Sequence, residues 1–185
     1  MEKAYEMKIA GVERELPLCK VTDELYIGAF VIFGDPELTV AAAKELLERA
    51  PEYDYLITAE AKSIPLIHEM ARQNGNQRYI VARKYPKLYM RDVITAKVRS
   101  ITTDKEQVLY LDGNEAELMK GKRVLIVDDV ISTGESLRAI EELVNIAGGK
   151  IVGKMCILAE GDAISREDIT YLEELPLFNA DGSVK

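Results

Sequence analysis

Asp128 and Asp129 stand side by side behind the aliphatic run VLIV at positions 124–127, and two further aliphatic residues lead from them into Ser132, Thr133, Gly134, Glu135 and Ser136. An unbroken aliphatic run suits a buried strand, and the small and hydroxylated residues after it suit a turn into a helix. Backbone N–H groups in such a turn converge on an anion, and a phosphate there gains on the order of 1 kcal/mol from the unpaired amides and the helix macrodipole. Gly134 permits close backbone approach, and the hydroxyls of Ser132, Thr133 and Ser136 supply further donors. The two carboxylates, expected where the strand leaves the sheet, would repel that same phosphate. They suit the hydroxyls of a neighbouring polyol, or a cation bridging to one. Together the pieces describe a sugar phosphate. An ordinary strand end with an acidic capping turn would need both acids, the hydroxyls and the glycine to coincide by chance.

Other phosphate chemistries lack their residues. No GxxxxGK[ST] occurs, KGKRV at 120–124 has neither the upstream glycine nor the Ser or Thr of a P-loop, and no GxGxxG is present. In a phospho-acceptor receiver domain the acidic pair comes early in the chain, and a Ser-Thr-Gly turn after it has no role. A second feature is electrostatic. Between positions 78 and 99 seven bases (Arg78, Arg83, Lys84, Lys87, Arg91, Lys97, Arg99) face one acid, Asp92, in a chain whose net charge is -8. A compact anion would be drawn to that segment; a solvated basic loop is the alternative. The acidic total argues against a nucleic-acid partner. His68 with Cys19 and Cys156 cannot form a zinc site of the usual kind, and both cysteines are expected in the core. No apolar stretch reaches the roughly 18 residues of a membrane span, and the start MEKAYEMKIAG lacks the order of a signal peptide, so a cytoplasmic protein is expected.

The elements that must position these residues alternate. Asp35 and Pro36 read as N-cap and first position of a helix with Leu38, Ala42, Leu46 and Leu47 on its buried stripe. YDYLITAEA reads as a buried strand, SIPLIHEMARQNG as a helix ended by Gly75, and RYIVA as another strand. The stretch DVITAKVRSITTDKEQVLYLDG reads as two strands around a polar turn, a hairpin inserted into the alternation. NEAELMKG is a short helix or turn before KRVLIVDD. ESLRAIEELVNIAGG sets Leu137, Ile140, Val144 and Ala147 on one helical face, and KIVGKMCILAE returns as a strand. Repeated strand–helix–strand units with aliphatic strands imply an α/β fold around a parallel sheet, with ligands beyond the carboxyl ends of the strands. With 185 residues the chain reads as one domain.

VLIVDDVISTGES resembles the phosphoribosyl-diphosphate (PRPP) signature of the type I phosphoribosyltransferases. YLITAEAKSIPL is similar to that family's pyrophosphate loop, and ARKYPKL resembles the RKxGKL segment of its adenine branch. The resemblance covers most of the chain. It implies a Rossmann-like core over about 35–160, a flexible flap over about 90–112, and a small N-terminal hood over about 1–34. The implied roles are residue by residue. Ser132, Thr133, Gly134, Glu135 and Ser136 would hold the 5-phosphate. Asp128 and Asp129 would be the catalytic pair facing the ribose hydroxyls, partly through Mg²⁺ bound with PRPP and water. Glu60, Ala61, Lys62, Arg83, Lys84 and Lys87 would serve the pyrophosphate. Phe30 and Phe33 in the hood would stack on a purine.

The activity so implied is displacement of pyrophosphate from C1 of PRPP by a ring nitrogen of a purine, within a homodimer. RKYPKL resembles the adenine branch, which would make AMP for purine salvage, and Ser132 replaces the Asp found before Thr-Gly in hypoxanthine-guanine enzymes. The flap segment VRSITT is closer to xanthine enzymes, so a xanthine or other 6-oxopurine substrate is the alternative. A non-catalytic PRPP sensor is a further one, although such regulators usually carry an added DNA-binding domain or a basic RNA-facing surface.

Overall fold

Aliphatic runs and amphipathic stretches alternate in the computed structural model as they do in the sequence; the structure describes residues 3–99 and 106–185. Three strands come first, β1 (Ala4–Ile9), β2 (Val12–Lys20) and β3 (Tyr26–Gly28). Then follow α1 (Pro36–Arg49), β4 (Tyr55–Ala59), α2 (Ile64–Gln73) and β5 (Ile80–Ala82). A hairpin of β6 (Ile94–Arg99) and β7 (Glu106–Leu111) leads to α3 (Gly113–Met119), β8 (Arg123–Ile131), α4 (Glu135–Ile146) and β9 (Lys150–Glu160). A 3₁₀ turn (Gly161–Ser165), β10 (Thr170–Leu175) and β11 (Leu177–Phe178) close the chain.

Five strands form the central sheet in the order β10-β9-β8-β4-β5, every neighbouring pair parallel. Both faces are covered, which is why β4 and β8 are aliphatic at consecutive positions rather than alternating. Leu56, Leu125, Val127 and Met155 pack with Leu38, Ala42 and Leu46 of α1 and Leu66, Ile67 and Met70 of α2. Ile57, Val124, Ile126 and Cys156 pack on the other face with Leu137, Ile140 and Val144 of α4 and with Ala96, Leu109 and Leu111 of the hairpin. The expected stripes of α1 and α4 are therefore the buried ones, with Leu47 and Ala147 at their half-buried margins.

Three boundaries differ from those read in the sequence. β8 does not end at the acidic pair, where KRVLIVDD stops, but runs two residues further; β9 continues beside it, and Asp128 pairs with Cys156, Val130 with Leu158 and Ile131 with Ala159. The parallel sheet also continues past 160, because β10 joins β9 as its edge strand. TYLEEL is a short edge strand with outward acids, so its apolar signal is weak. The N-terminal strands form an antiparallel sheet whose fourth member, β11, comes from the far end of the chain. Cys156 lies in the core as expected, but Cys19 is exposed, since it occupies an outward position on half-buried β2. Among the described residues no helix is long and apolar enough to cross a membrane.

Asp35 secures the start of α1. Its Oδ1 accepts from the Leu38 N–H at 3.0 Å, and its carboxylate accepts from Arg14 Nε and Nη2 of β2 at 2.6 and 2.9 Å. The cap thus ties the antiparallel sheet to the core helix, and the Arg14 hydrogen bonds hold the Asp35 carboxyl below its ordinary range. A group depressed in the fold stabilises above its unfolded pKa, about 3.9, and loses that contribution as pH falls through its folded value. Asp35→Ala is expected to lower unfolding free energy at pH 7 by about 1–2 kcal/mol. The gap between wild type and variant, read from urea unfolding at a series of pH values, should narrow below about pH 4.

Candidate functional site

Asp128 and Asp129 lie within the last four residues of β8, and the other residues singled out from the sequence motifs, Phe30 and Phe33 apart, lie beyond the carboxyl end of a central strand. Glu60 follows β4, Arg83 follows β5, Ser132 follows β8, and Glu160 ends β9. The chain moves outward from β4 to β5 on one side and from β8 through β9 to β10 on the other. The direction of winding therefore reverses between β4 and β8, the place where open α/β sheets leave a crevice for ligands.

The acidic pair is held across that crevice. Ser63, buried at the start of α2, donates its hydroxyl to Asp128 Oδ1 at 2.5 Å, with Asp129 Oδ1 3.1 Å away. The Asp129 N–H in turn donates to Ser63 Oγ and to Asp128 Oδ1, each at 2.9 Å. Lys62 Nζ lies 2.8 Å from Asp129 Oδ2, an ion contact that leaves that buried oxygen without an aligned hydrogen bond. Burial, and after it the charge of Asp129, pushes the Asp128 carboxyl up to about 7. Among the described residues no ion pair reaches Asp128, and Lys62 is the one cation in contact with Asp129.

The turn from Ser132 to Ser136 meets its helix through Gly134, whose φ of 74° is the left-handed conformation a side chain disfavours. Glu135 opens α4. Ser136 Oγ accepts from Gln107 Nε2 of β7 at 2.9 Å, and Arg138 Nη2 reaches the Thr133 carbonyl at 3.5 Å. Glu160 lies near the turn: burial raises its carboxyl above the ordinary range, while Ser132 and Lys62 act in the opposite direction.

On the β4 and β5 side, the Glu60–Ala61 peptide is cis, and Ala61 and Lys62 are exposed. Arg83 Nε lies 2.5 Å from Glu60 Oε2, so this acid faces a base of its own chain and leaves the loop's backbone and Lys62 as its donors to any anion. Arg83 also exchanges both backbone hydrogen bonds with Tyr110 at 2.8 Å, which fastens β7 to the end of β5. Lys84 is exposed and Lys87 half-buried. Phe30 is only 5% exposed and packed in the core, so its ring has no open face for a ligand, whereas Phe33 is 49% exposed. The middle of the expected flap lies outside the described residues.

Ser63, Gln107 and Glu160 were not singled out in the sequence. Glu160 could have been, as the residue closing a strand beside the motif strand; Ser63 and Gln107 carry no local signal. Among the described residues no group of three or more His, Cys, Asp or Glu could hold a metal by itself. Asp128 and Asp129 nevertheless fit a Mg²⁺ ion whose shell is completed by ligand oxygens and water, since Mg²⁺ commonly takes only one or two protein carboxylates. The lack of counter-charge on Asp128 and the unaligned Asp129 Oδ2 are what such an ion would satisfy.

A phosphoribosyl transferase domain family matches residues 37–180. A hypoxanthine/guanine phosphoribosyltransferase of Methanococcus voltae is 35% identical over 151 residues, 81% of this chain and 76% of its own length. An adenine phosphoribosyltransferase of Petrotoga mobilis is 30% identical over 149 residues, 77% and 80% of the two chains. Among solved structures, adenine phosphoribosyltransferase from Thermoanaerobacter pseudethanolicus superposes with a TM-score of 0.67 at 18% identity, over 92% of this chain and 95% of that one, a likeness of fold.

Removing the Ser63 hydroxyl deprives Asp128 Oδ1 of its side-chain donor and the Asp129 N–H of one acceptor in a buried setting. Ser63→Ala is expected to cost about 1–3 kcal/mol of unfolding free energy. Chemical denaturation at pH 7 would measure it, and a loss below about 0.5 kcal/mol would show that the hydroxyl is not holding the pair.

Proposed function

This chain belongs to the phosphoribosyltransferase family, and we propose that within it the protein is a purine phosphoribosyltransferase, joining PRPP to adenine to give AMP and pyrophosphate. The observation that carries this reading is the meeting of Lys62 and Ser63 with Asp128 and Asp129 at the point of reversal between β4 and β8, one turn from the Ser132 to Ser136 loop. A sugar phosphate with a second anion at C1 suits that order: monoester in the turn, ribose at the acids, pyrophosphate beside Ala61 and Lys62 and the bases Arg83, Lys84 and Lys87.

The work of the protein is positioning and electrostatics. Seating PRPP at both ends orients C1 toward the incoming ring nitrogen, so one bimolecular encounter is made in advance. As the bond to pyrophosphate lengthens, the ribose gains positive charge, which Asp128 and Asp129 favour, and the leaving group gains negative charge, which Lys62 and the basic loop favour. Mg²⁺, when bound, would neutralise pyrophosphate and ribose oxygens and keep both aspartates ionised. The β6–β7 hairpin, tied to both ends of the site, would limit access of water to the reacting carbon.

Adenine is our reading because RKYPKL resembles the adenine branch and Ser132 occupies the place before Thr-Gly. A 6-oxopurine is the second reading, favoured by the identity of 35% to the Methanococcus voltae protein against 30% to the Petrotoga mobilis one. Pyrophosphate release from PRPP with Mg²⁺, tested with adenine, hypoxanthine, guanine, xanthine and uracil singly, is expected with adenine. Release only with an oxopurine would move the assignment, and PRPP binding by calorimetry without release for any base would make the protein a sensor. Asp128→Asn combined with Asp129→Asn is expected to lower turnover by about 100-fold or more while circular dichroism stays unchanged. Near-wild-type turnover in that double variant would remove the acidic pair from the reaction.

A further inference from the structure

Arg166 follows the 3₁₀ turn after β9, outside every motif described above. Its guanidinium is held on one edge by Asp168, which accepts from Nε at 2.9 Å and from Nη2 at 2.7 Å. Asp168 is itself pinned by Lys154 Nζ at 2.5 Å, and Lys154 also contacts Glu141 of α4 at 2.6 Å. The remaining nitrogen, Nη1, points at the phosphate turn: a Cβ built on Gly134 would lie 2.5 Å from it. Among the described residues Nη1 has no hydrogen-bond acceptor, although its two N–H groups are strong donors. The glycine of the turn thus has two causes, its positive φ and the space taken by this arginine.

The charges around the turn give that nitrogen a task. Asp128, Asp129 and Glu160 all stand near, and the turn itself offers only amides, hydroxyls and the Arg138 contact to a carbonyl. A doubly charged monoester placed there needs a cation that the three acids do not already occupy. Asp168 consumes the Nε edge of Arg166 and sets its plane, leaving the Nη1 donors directed at the turn. We propose that Arg166 is a further substrate-binding residue, its Nη1 donating to the 5-phosphate seated at the Ser132 to Ser136 turn, with Asp168 and Lys154 as the residues that position it. The proposal rests on the phosphoribosyltransferase reading and names the group that sets affinity for the monoester end of its substrate.

Calorimetric titration with ribose 5-phosphate, and separately with inorganic pyrophosphate, separates the two ends of the site. Arg166→Met is expected to weaken ribose 5-phosphate by about tenfold or more, the scale of a charge-assisted hydrogen bond, and to leave pyrophosphate affinity unchanged. The salt dependence of ribose 5-phosphate binding should become shallower. Arg166→Lys should restore part of the affinity, and Asp168→Asn, which keeps the charge but loosens its aim, should fall between wild type and Arg166→Met. Wild-type affinity for ribose 5-phosphate in Arg166→Met overturns the assignment, as does an equal loss of both ligands, which would mark Arg166 as structural. A wild-type protein that binds neither ligand overturns the phosphoribosyltransferase reading itself, an outcome distinct from either of those.

Discussion

The rest of the site depends on one constraint, the confinement of two adjacent carboxylates at the end of a strand buried on both faces. Their mutual repulsion and loss of water are only partly offset by the Ser63 hydroxyl, the Asp129 N–H and Lys62. An unpaired buried charge costs several kcal/mol, so such an arrangement persists only where the surroundings over-determine it. Here they do. β8 is central, paired on one side with β9 up to Ile131 and on the other with β4, and the start of α2 is carried to the acids by the chain leaving β4. The acids cannot drift apart without unpairing the middle of the sheet.

Around that centre three cations face an acid of the same chain: Lys62 with Asp129, Arg83 with Glu60, Arg166 with Asp168. Such pairs are close to neutral in stability. Their value lies in pre-positioning, because each base is already at the rim of the crevice and already partly desolvated when an anion arrives. Binding would then be an exchange of partners, and Asp129, once released from Lys62, would be open to a divalent cation. A polyanion and a cation would stabilise each other's sites without any large rearrangement of the sheet.

Much of this was legible in the sequence, for reasons that also mark where reading fails. VLIVDDVISTGES states its geometry locally: aliphatic strand, acids, glycine turn and helix are contiguous, so period and turn chemistry suffice. Asp35 and Pro36 likewise declare a helix start, and the cap is there. Ser63 was invisible because its partners are 65 and 66 residues away, brought near only by the parallel pairing of β4 with β8. Phe30 and Phe33 are the same residue type three positions apart, and only packing against Leu38 and its neighbours puts one in the core and leaves the other open. β10 and β11 were missed because an edge strand rich in acids and a two-residue strand have little apolar pattern to detect. Arg166 lies in the segment those omissions concealed.

The hairpin shows how long-range pairing adds a function that no local motif carries. β7 is bonded through the Gln107 side chain to Ser136 at the end of the Ser132 to Ser136 turn, and through the Tyr110 backbone to Arg83 at the start of the basic loop. Those two attachments are three residues apart, roughly 10 Å along an extended strand. One strand therefore spaces the turn proposed for the monoester from the loop proposed for the pyrophosphate, while the hairpin's Ala96, Leu109 and Leu111 pack into the core with α4. A ligand occupying both ends competes for Ser136 at one of them, where Gln107 already donates. Gln107 Nε2 donates to Ser136 Oγ at 2.9 Å and Gln107 Oε1 lies 3.3 Å from the same hydroxyl as its acceptor, so one amide of the hairpin engages Ser136 in both senses, and a phosphate would take over that hydroxyl's hydrogen from Gln107. The hairpin's influence on affinity would then reach the phosphate through a single side-chain contact, and its influence on spacing through the backbone at Tyr110.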